Sequence, residues 1–181
     1  MKRPPFLTIL SVTILIFGSA ANAAYQAPAS PNVPPESTHV GMLLAQADDY
    51  AQRQFDNQKA LALYAEALVL ESGNDEILWR ISRAYVDIAE HMPVGDEEEK
   101  EKQLLMYEKA LEFANKSVET NPNSSMAFTR RAVATGRVSL SNGMWTSIGM
   151  MKDMREDLEK AISLDSANHA AYYALGRTHM R

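Results

Sequence analysis

The residue types able to do chemistry are few in this chain, and their spacing excludes more than it admits. The four histidines, His39, His91, His169 and His179, include no pair at i and i+3 or i+4, the spacing that sets two imidazoles on one helix face around a metal. Cysteine is absent, which removes thiol nucleophiles, thiolate ligation and disulfides. No glycine-rich phosphate loop and no G-x-S-x-G elbow occurs, nor a strand pattern on which either could be mounted. The expectation is a protein that is not an enzyme and carries no cofactor or metal. Met144, Met150, Met151 and Met154 are clustered thioethers, a type able to hold Cu(I). Ile148, Met151, Leu158 and Ile162 lie near helical spacing, however, so the methionines are expected to fill a core stripe.

What remains is a division of the cations. Lys59, Lys100, Lys102, Lys109, Lys116, Lys152 and Lys160 fall on one set of segments. Arg53, Arg80, Arg83, Arg130, Arg131, Arg137, Arg177 and Arg181 fall on another, with Arg155 the exception. Guanidinium groups match carboxylates bidentately where ammonium groups do not, so the second set is where recognition of an acidic ligand would be built.

The elements that must position those arginines are helices. Ala60, Tyr64, Ala67 and Leu68 recur at the spacing of one buried helical stripe, and so do Leu78, Ile81, Ala84, Tyr85 and Ile88. Asp75 and Glu76 suit the positive end of a helix dipole, and the acidic run Asp96 to Lys102 starts another helix in the same way. The pattern predicts helices over Met42–Gln54, Gln58–Glu71, Asp75–His91, Glu97–Asn121, Ser125–Ser141, Ser147–Leu164 and His169–Arg181. Trp145 is left in an inter-helix loop. One junction occurs three times, at Leu70 to Asn74, Thr120 to Ser124 and Leu164 to Asn168, each followed by a new apolar-periodic helix.

The 181 residues suffice for one ordinary domain. The net charge is −5, and without residues 1–23 there are 16 basic against 23 acidic residues. An acidic balance argues against nucleic acid as partner. The N-terminus reads as an address: Met1-Lys2-Arg3, an apolar run from Phe6 to Phe17, then Ala21-Asn22-Ala23. That order predicts a signal peptide over 1–23 with cleavage before Ala24, and export to a bacterial periplasm. The alternative is a membrane anchor over residues 6–23, although the run is shorter than the ~20 residues a span requires. Pro28, Pro31, Pro34 and Pro35 among small polar residues predict a disordered linker over 24–41, leaving 42–181 as the helical domain.

Gly41 to Asn74 is 34 residues, the period of the tetratricopeptide helix-turn-helix repeat. The next units, Asp75 to Ser124 and Ser125 to Asn168, are 50 and 44 residues, with the extra length expected between the two helices of each unit. Leu78-x-x-Ile81-Ser82-x-x-Tyr85 follows the first-helix pattern and Ala60-x-x-x-Tyr64-x-x-Ala67 the second; Tyr172-x-x-Leu175-Gly176-x-x-His179 opens a fourth unit whose partner helix is absent, which predicts a fragment. Residues 42–181 thus resemble a tetratricopeptide repeat protein. The runs Ile77 to Tyr85, Tyr107 to Ala114, Arg130 to Arg137 and Tyr173 to Arg177 are, more narrowly, similar to the regulator of microtubule dynamics family and its bacterial relatives.

The resemblance implies an all-α, right-handed superhelical stack of antiparallel helix pairs, with small residues Ser82, Ala132 and Gly176 at close helix approaches. It also implies that first helices line the concave face, where Trp79, Arg80, Arg83, Thr129, Arg130, Val133, Arg137, Tyr173 and Arg177 would form a groove. Arg131 falls instead on the packed side, where Ile81 and Leu175 stand in the other units. The expected function is non-catalytic interaction, the groove taking an acidic or C-terminal peptide of an envelope protein; the partner is a protein or peptide, and the membrane is met only through the leader. Two alternatives stand beside it. The arginines could pair internally with Asp48, Asp49, Asp87 and Glu90, or the chain could be a scaffold or assembly factor using the convex side and the long helix Glu97–Asn121.

Overall fold

The computed structural model describes residues 35–141 and 144–179, and the expectations for the leader and for most of the linker lie outside them. Seven α-helices follow one another, and no strand occurs among the described residues: α1 Pro35–Asp49, α2 Asn57–Leu70, α3 Asp75–Glu90, α4 Glu97–Thr120, α5 Ser125–Ser141, α6 Met144–Leu164 and α7 His169–His179. A π-helical turn, Tyr50–Gln54, extends α1 and ends at Phe55, which takes φ 55°.

Each helix starts for a local reason. Asn74 caps α3, its Oδ1 accepting from the Glu76 amide at 2.9 Å, and Asp75 and Glu76 occupy the first turn. Asp96 caps α4 by accepting from the Glu99 amide at 2.9 Å, while the Glu99 carboxylate reaches back to the Gly95 amide at 2.6 Å. The three junctions anticipated from sequence are alike in their bonds. Glu71, Asn121 and Asp165 donate their amides to the carbonyls of Ala67, Ser117 and Ala161, and their own carbonyls accept from the amides of Asn74, Ser124 and Asn168. Ala67, Ser117 and Ala161 are fully buried, because the next helix packs directly on them.

The core is a series of apolar clusters, each recruiting successive helices. Val40, Leu43 and Ala47 of α1 meet Tyr64 and Ala67 of α2 and Ile77, Ile81 and Ala84 of α3. Val86 and Ala89 of α3 meet Tyr107 and Ala110 of α4 and Ala134 and Val138 of α5. Phe128 and Ala132 of α5 meet Leu158 and Ala161 of α6 and Ala171 of α7. Pairs α1–α2, α3–α4 and α5–α6 pack internally, and α3–α5 and α5–α7 contacts set first helix beside first helix. This is an all-α, tetratricopeptide-like solenoid.

Several expectations need correction. Helix α1 begins at Pro35, inside the span assigned to linker, since proline suits a first helical turn and Val40 gains a buried position. Helix α6 begins at Met144, so Trp145 is helical and not in a loop. The extra length of the later units goes largely into their second helices: α4 has 24 residues and α6 21, against 14 in α2. Ser82 and Ala132 are fully buried at close approaches, but Gly176 is exposed with open space around it, because no further helix packs there among the described residues. Met151 is exposed, not part of a core stripe; Met154 and Met150 are the partly buried pair.

Candidate functional site

The arginines of the first helices are reached by starting from α1. Asp48 accepts from Tyr64 Oη at 2.6 Å, from Arg83 Nη2 at 3.2 Å and from Arg80 Nε at 3.3 Å, and Arg83 Nη2 also lies 3.0 Å from Tyr64 Oη. Burial, reinforced by the bond to Asp48, pushes the Tyr64 phenol well above its ordinary range. Arg80 is used further by Glu76, whose carboxylate and carbonyl it meets at 3.1 and 3.0 Å. This hub ties α1, α2 and α3 together, and within it Arg80 and Arg83 are structural.

Around Trp79 three guanidinium groups gather: Arg80 at 4.2 Å from the ring centroid, Arg130 at 5.8 Å and Arg83 at 6.0 Å. Arg80 is held as described, whereas Arg130 on α5 has no ion pair among the described residues, and its buried Nε has no hydrogen-bond partner. Burial and the like charge of Arg83 pull the Arg130 guanidinium down to about 10, with Asp87 opposing. A guanidinium does not release its proton under ordinary conditions, so Arg130 stays a buried cation beside the like charge of Arg83. Asp87 on α3 is the carboxylate that opposes this shift. Burial raises its carboxyl above the ordinary carboxylate range despite Arg83 and Arg130. Arg137 on α5 is ion-paired to Glu90 on α3, and Arg177 on α7 sits 5.9 Å over the Tyr173 ring without an ion pair among the described residues.

Arg83, Asp87, Glu90, Arg130, Arg137 and Arg177 line one cavity of about 690 Å³ bordered by α3, α5, α6 and α7, within the ~300–1,000 Å³ range of ligand pockets. Of the sequence-predicted residues it brings together Arg83, Arg130, Val133, Arg137, Tyr173 and Arg177. Thr129 also borders it but is fully buried; its hydroxyl donates to the Ser125 carbonyl and accepts from Asn168 Nδ2, which makes it part of the floor and a tie to α7. Trp79 and Arg80 stand outside its wall, Arg80 because Asp48 and Glu76 draw it away. The internal pairing weighed at sequence level therefore holds for Arg80, Arg83 and Arg137, and not for Arg130 or Arg177.

Sequence reasoning missed the α6 contribution. Met151 and Met154 form part of the wall, beside Gly136 and Leu140 of α5. Gly136 was the available signal, because a methyl there would stand 2.7 Å from Met154 Sδ. Arg131, the misfit on the packed side, is answered by Asp157 of α6, which accepts from its Nε and Nη2 at 2.7 and 2.6 Å.

Comparison with known proteins bears on this geometry. The family described as RMD1-3, regulator of microtubule dynamics protein 1-3, matches residues 43–181. Regulator of microtubule dynamics protein 1 of Bos taurus is 32% identical over 134 residues, 74% of this chain and 40% of its own length. Regulator of microtubule dynamics protein 3 of Rattus norvegicus is 27% identical over 139 residues, 76% of this chain and 28% of its own. The chain thus spans two fifths or less of the length of these relatives. Among solved structures, the Arabidopsis OM64 TPR domain is similar at a TM-score of 0.57 and 15% identity, covering 81% of this chain and 98% of that one. The first TPR of Spaghetti (RPAP3) bound to HSP90 peptide SRMEEVD is similar at 0.55 and 17%, covering 80% and 93%. At these identities the likeness establishes the tetratricopeptide fold.

Proposed function

This chain belongs to the regulator of microtubule dynamics protein 1-3 family, and from that premise we propose that its helical stack is a non-catalytic interaction module whose groove binds an acidic or C-terminal peptide of a protein partner. The observation that carries the reading is Arg130: a cation with a buried, unpartnered Nε, bordering an open cavity. A carboxylate brought to the cavity side of this guanidinium supplies the missing counter-charge. With Arg83 paired to Asp48, three guanidinium groups, of Arg130, Arg137 and Arg177, face two carboxylates, of Asp87 and Glu90, so the cavity is positive in a chain whose net charge is −5. Tyr173 adds an exposed aromatic to the arginines, a composition common at binding hot spots. The Spaghetti domain, alike in fold, is bound to a peptide whose last residues are two glutamates, a valine and an aspartate.

The leader pattern supports an exported protein, with residues 1–23 removed, so the proposed partner is another envelope protein; the intact mass of the secreted form would test this. Binding is tested with a fluorescent acidic peptide and its Gln/Asn counterpart, against wild type and Arg130→Gln. The acidic peptide should bind at least tenfold tighter, lose that advantage in Arg130→Gln, and weaken strongly toward 1 M salt, where the Debye length is ~3 Å. Equal binding of both peptides to the wild type would discard the reading. Arg83 is the poorer probe, because its removal also opens the Asp48 hub.

A further inference from the structure

The apolar wall of the groove names a second requirement on its ligand. Large apolar side chains exposed singly are ordinary on a protein surface, whereas several converging on one concavity mark a contact site. Leu140 on α5 is 60% exposed, Met151 on α6 45% and Tyr173 on α7 70%. They come from three helices, and all three line the same cavity. Helix α6 is a second helix, and it reaches the groove through a local device: Gly136 has no Cβ, so the Met154 thioether lies against the α5 backbone where a methyl would stand 2.7 Å from its sulfur. Methionine walls are flexible and polarisable and adapt to a bulky apolar guest.

The charges around this wall say what kind of molecule brings the guest. Arg130 and Arg137 on α5 and Arg177 on α7 line the same cavity. A ligand with a single carboxylate, such as a fatty acid, satisfies one of the two lining cations that have no ion pair among the described residues, Arg130 and Arg177. An extended acidic segment with spaced carboxylates meets both and carries side chains between them.

We propose that the wall formed by Gly136, Leu140, Met151, Met154 and Tyr173 is a side-chain subsite that accepts one leucine- or methionine-sized residue of the acidic peptide, next in sequence to its carboxylates. This rests on the groove reading above and adds a residue-level preference to it. The preference belongs to the apolar side chains that α5, α6 and α7 contribute, and charge recognition belongs to Arg130 and Arg177.

The test uses labelled seven-residue peptides that share two glutamates and a C-terminal aspartate and differ only in carrying leucine or alanine, with the variable residue placed on either side of the glutamates. Wild type should prefer the leucine peptide by at least tenfold in one of the two placements. Met151→Glu, at an exposed helical position whose folding is checked by circular dichroism, should abolish that preference. Arg130→Gln should weaken both peptides and leave their ratio unchanged. Equal binding of leucine and alanine peptides in both placements overturns the subsite while the groove reading stands. Failure of every acidic peptide to bind overturns the groove reading and the subsite with it. Displacement of the leucine peptide by micromolar dodecanoate reassigns the wall to a lipid and overturns the proposal.

Discussion

Arg131 on α5 and Asp157 on α6 form a bidentate pair, with Nε and Nη2 donating to the two carboxylate oxygens at 2.7 and 2.6 Å. The pair stands where the other units place Ile81 and Leu175, and it joins two helices of one repeat through side chains that are largely buried. Removing one partner strands the other charge. Asp157→Ala should therefore lower the unfolding free energy by about 3 kcal/mol, whereas the double change Arg131→Met with Asp157→Leu should recover most of the loss. Urea denaturation of the two variants checks this, and equal losses would show that a stranded Arg131 is not what the single change costs.

Tyr64 separates packing from hydrogen bonding in the first unit. It is fully buried and its hydroxyl bridges Asp48 and Arg83. Tyr64→Ala should cost about 3–5 kcal/mol. Tyr64→Phe keeps the ring and should cost about 1–3 kcal/mol through the donor withdrawn from Asp48. Near-neutral results for both would reject the register of α2 against α1.

Arg130 predicts a conflict between stability and binding. Its cation is short of counter-charge in the free protein, so Arg130→Met should leave the unfolding free energy unchanged or raise it by about 1 kcal/mol. The same variant should lose at least tenfold in acidic-peptide affinity. A destabilised Arg130→Met would indicate that the guanidinium has a structural partner.

Asp87 gives a pH dependence whose sign follows from its direction of shift. Burial raises its carboxyl above the ordinary 3.8, so the folded protein holds that proton at pH values where the unfolded chain has released it. Stability contributed by this group is full below 3.8 and is lost as pH rises through the raised value. Asp87→Asn should flatten that part of the profile and stabilise the protein at neutral pH. Urea midpoints of both proteins between about pH 4 and pH 7 would show it; parallel profiles would refute it.

Asn168 should hold the far end of the groove in place. Its buried amide donates to Ser125 Oγ at 2.7 Å and Thr129 Oγ1 at 2.9 Å, and its Oδ1 accepts from the Ala171 amide at 3.1 Å. Asn168→Ala removes a helix cap and leaves two hydroxyls short of a partner, at a cost of about 2–3 kcal/mol. Hydrogen exchange should quicken across α7, which carries Tyr173 and Arg177, and remain protected in α3.

The sequence by itself determined the helical class, the three repeated junctions and the assignment of arginines to first helices, because each is written in local periodicity and capping. Ala67, Ser117 and Ala161 could be aligned from their neighbours alone, and they prove equivalent in burial and bonding. Tertiary structure decided which arginines were already engaged. Asp48 meets Arg80 and Arg83 from 32 and 35 residues away, and Arg131 finds Asp157 across 26, distances over which helical spacing carries no information about partners. It also decided that Met151 faces the groove, since helical spacing within α6 does not say which of its residues a neighbouring helix leaves open. Tyr172 shows the same division. It occupies the position of Leu78 and Phe128, which are buried, yet it is 47% exposed, because burial is conferred by a neighbouring helix and not by the residue.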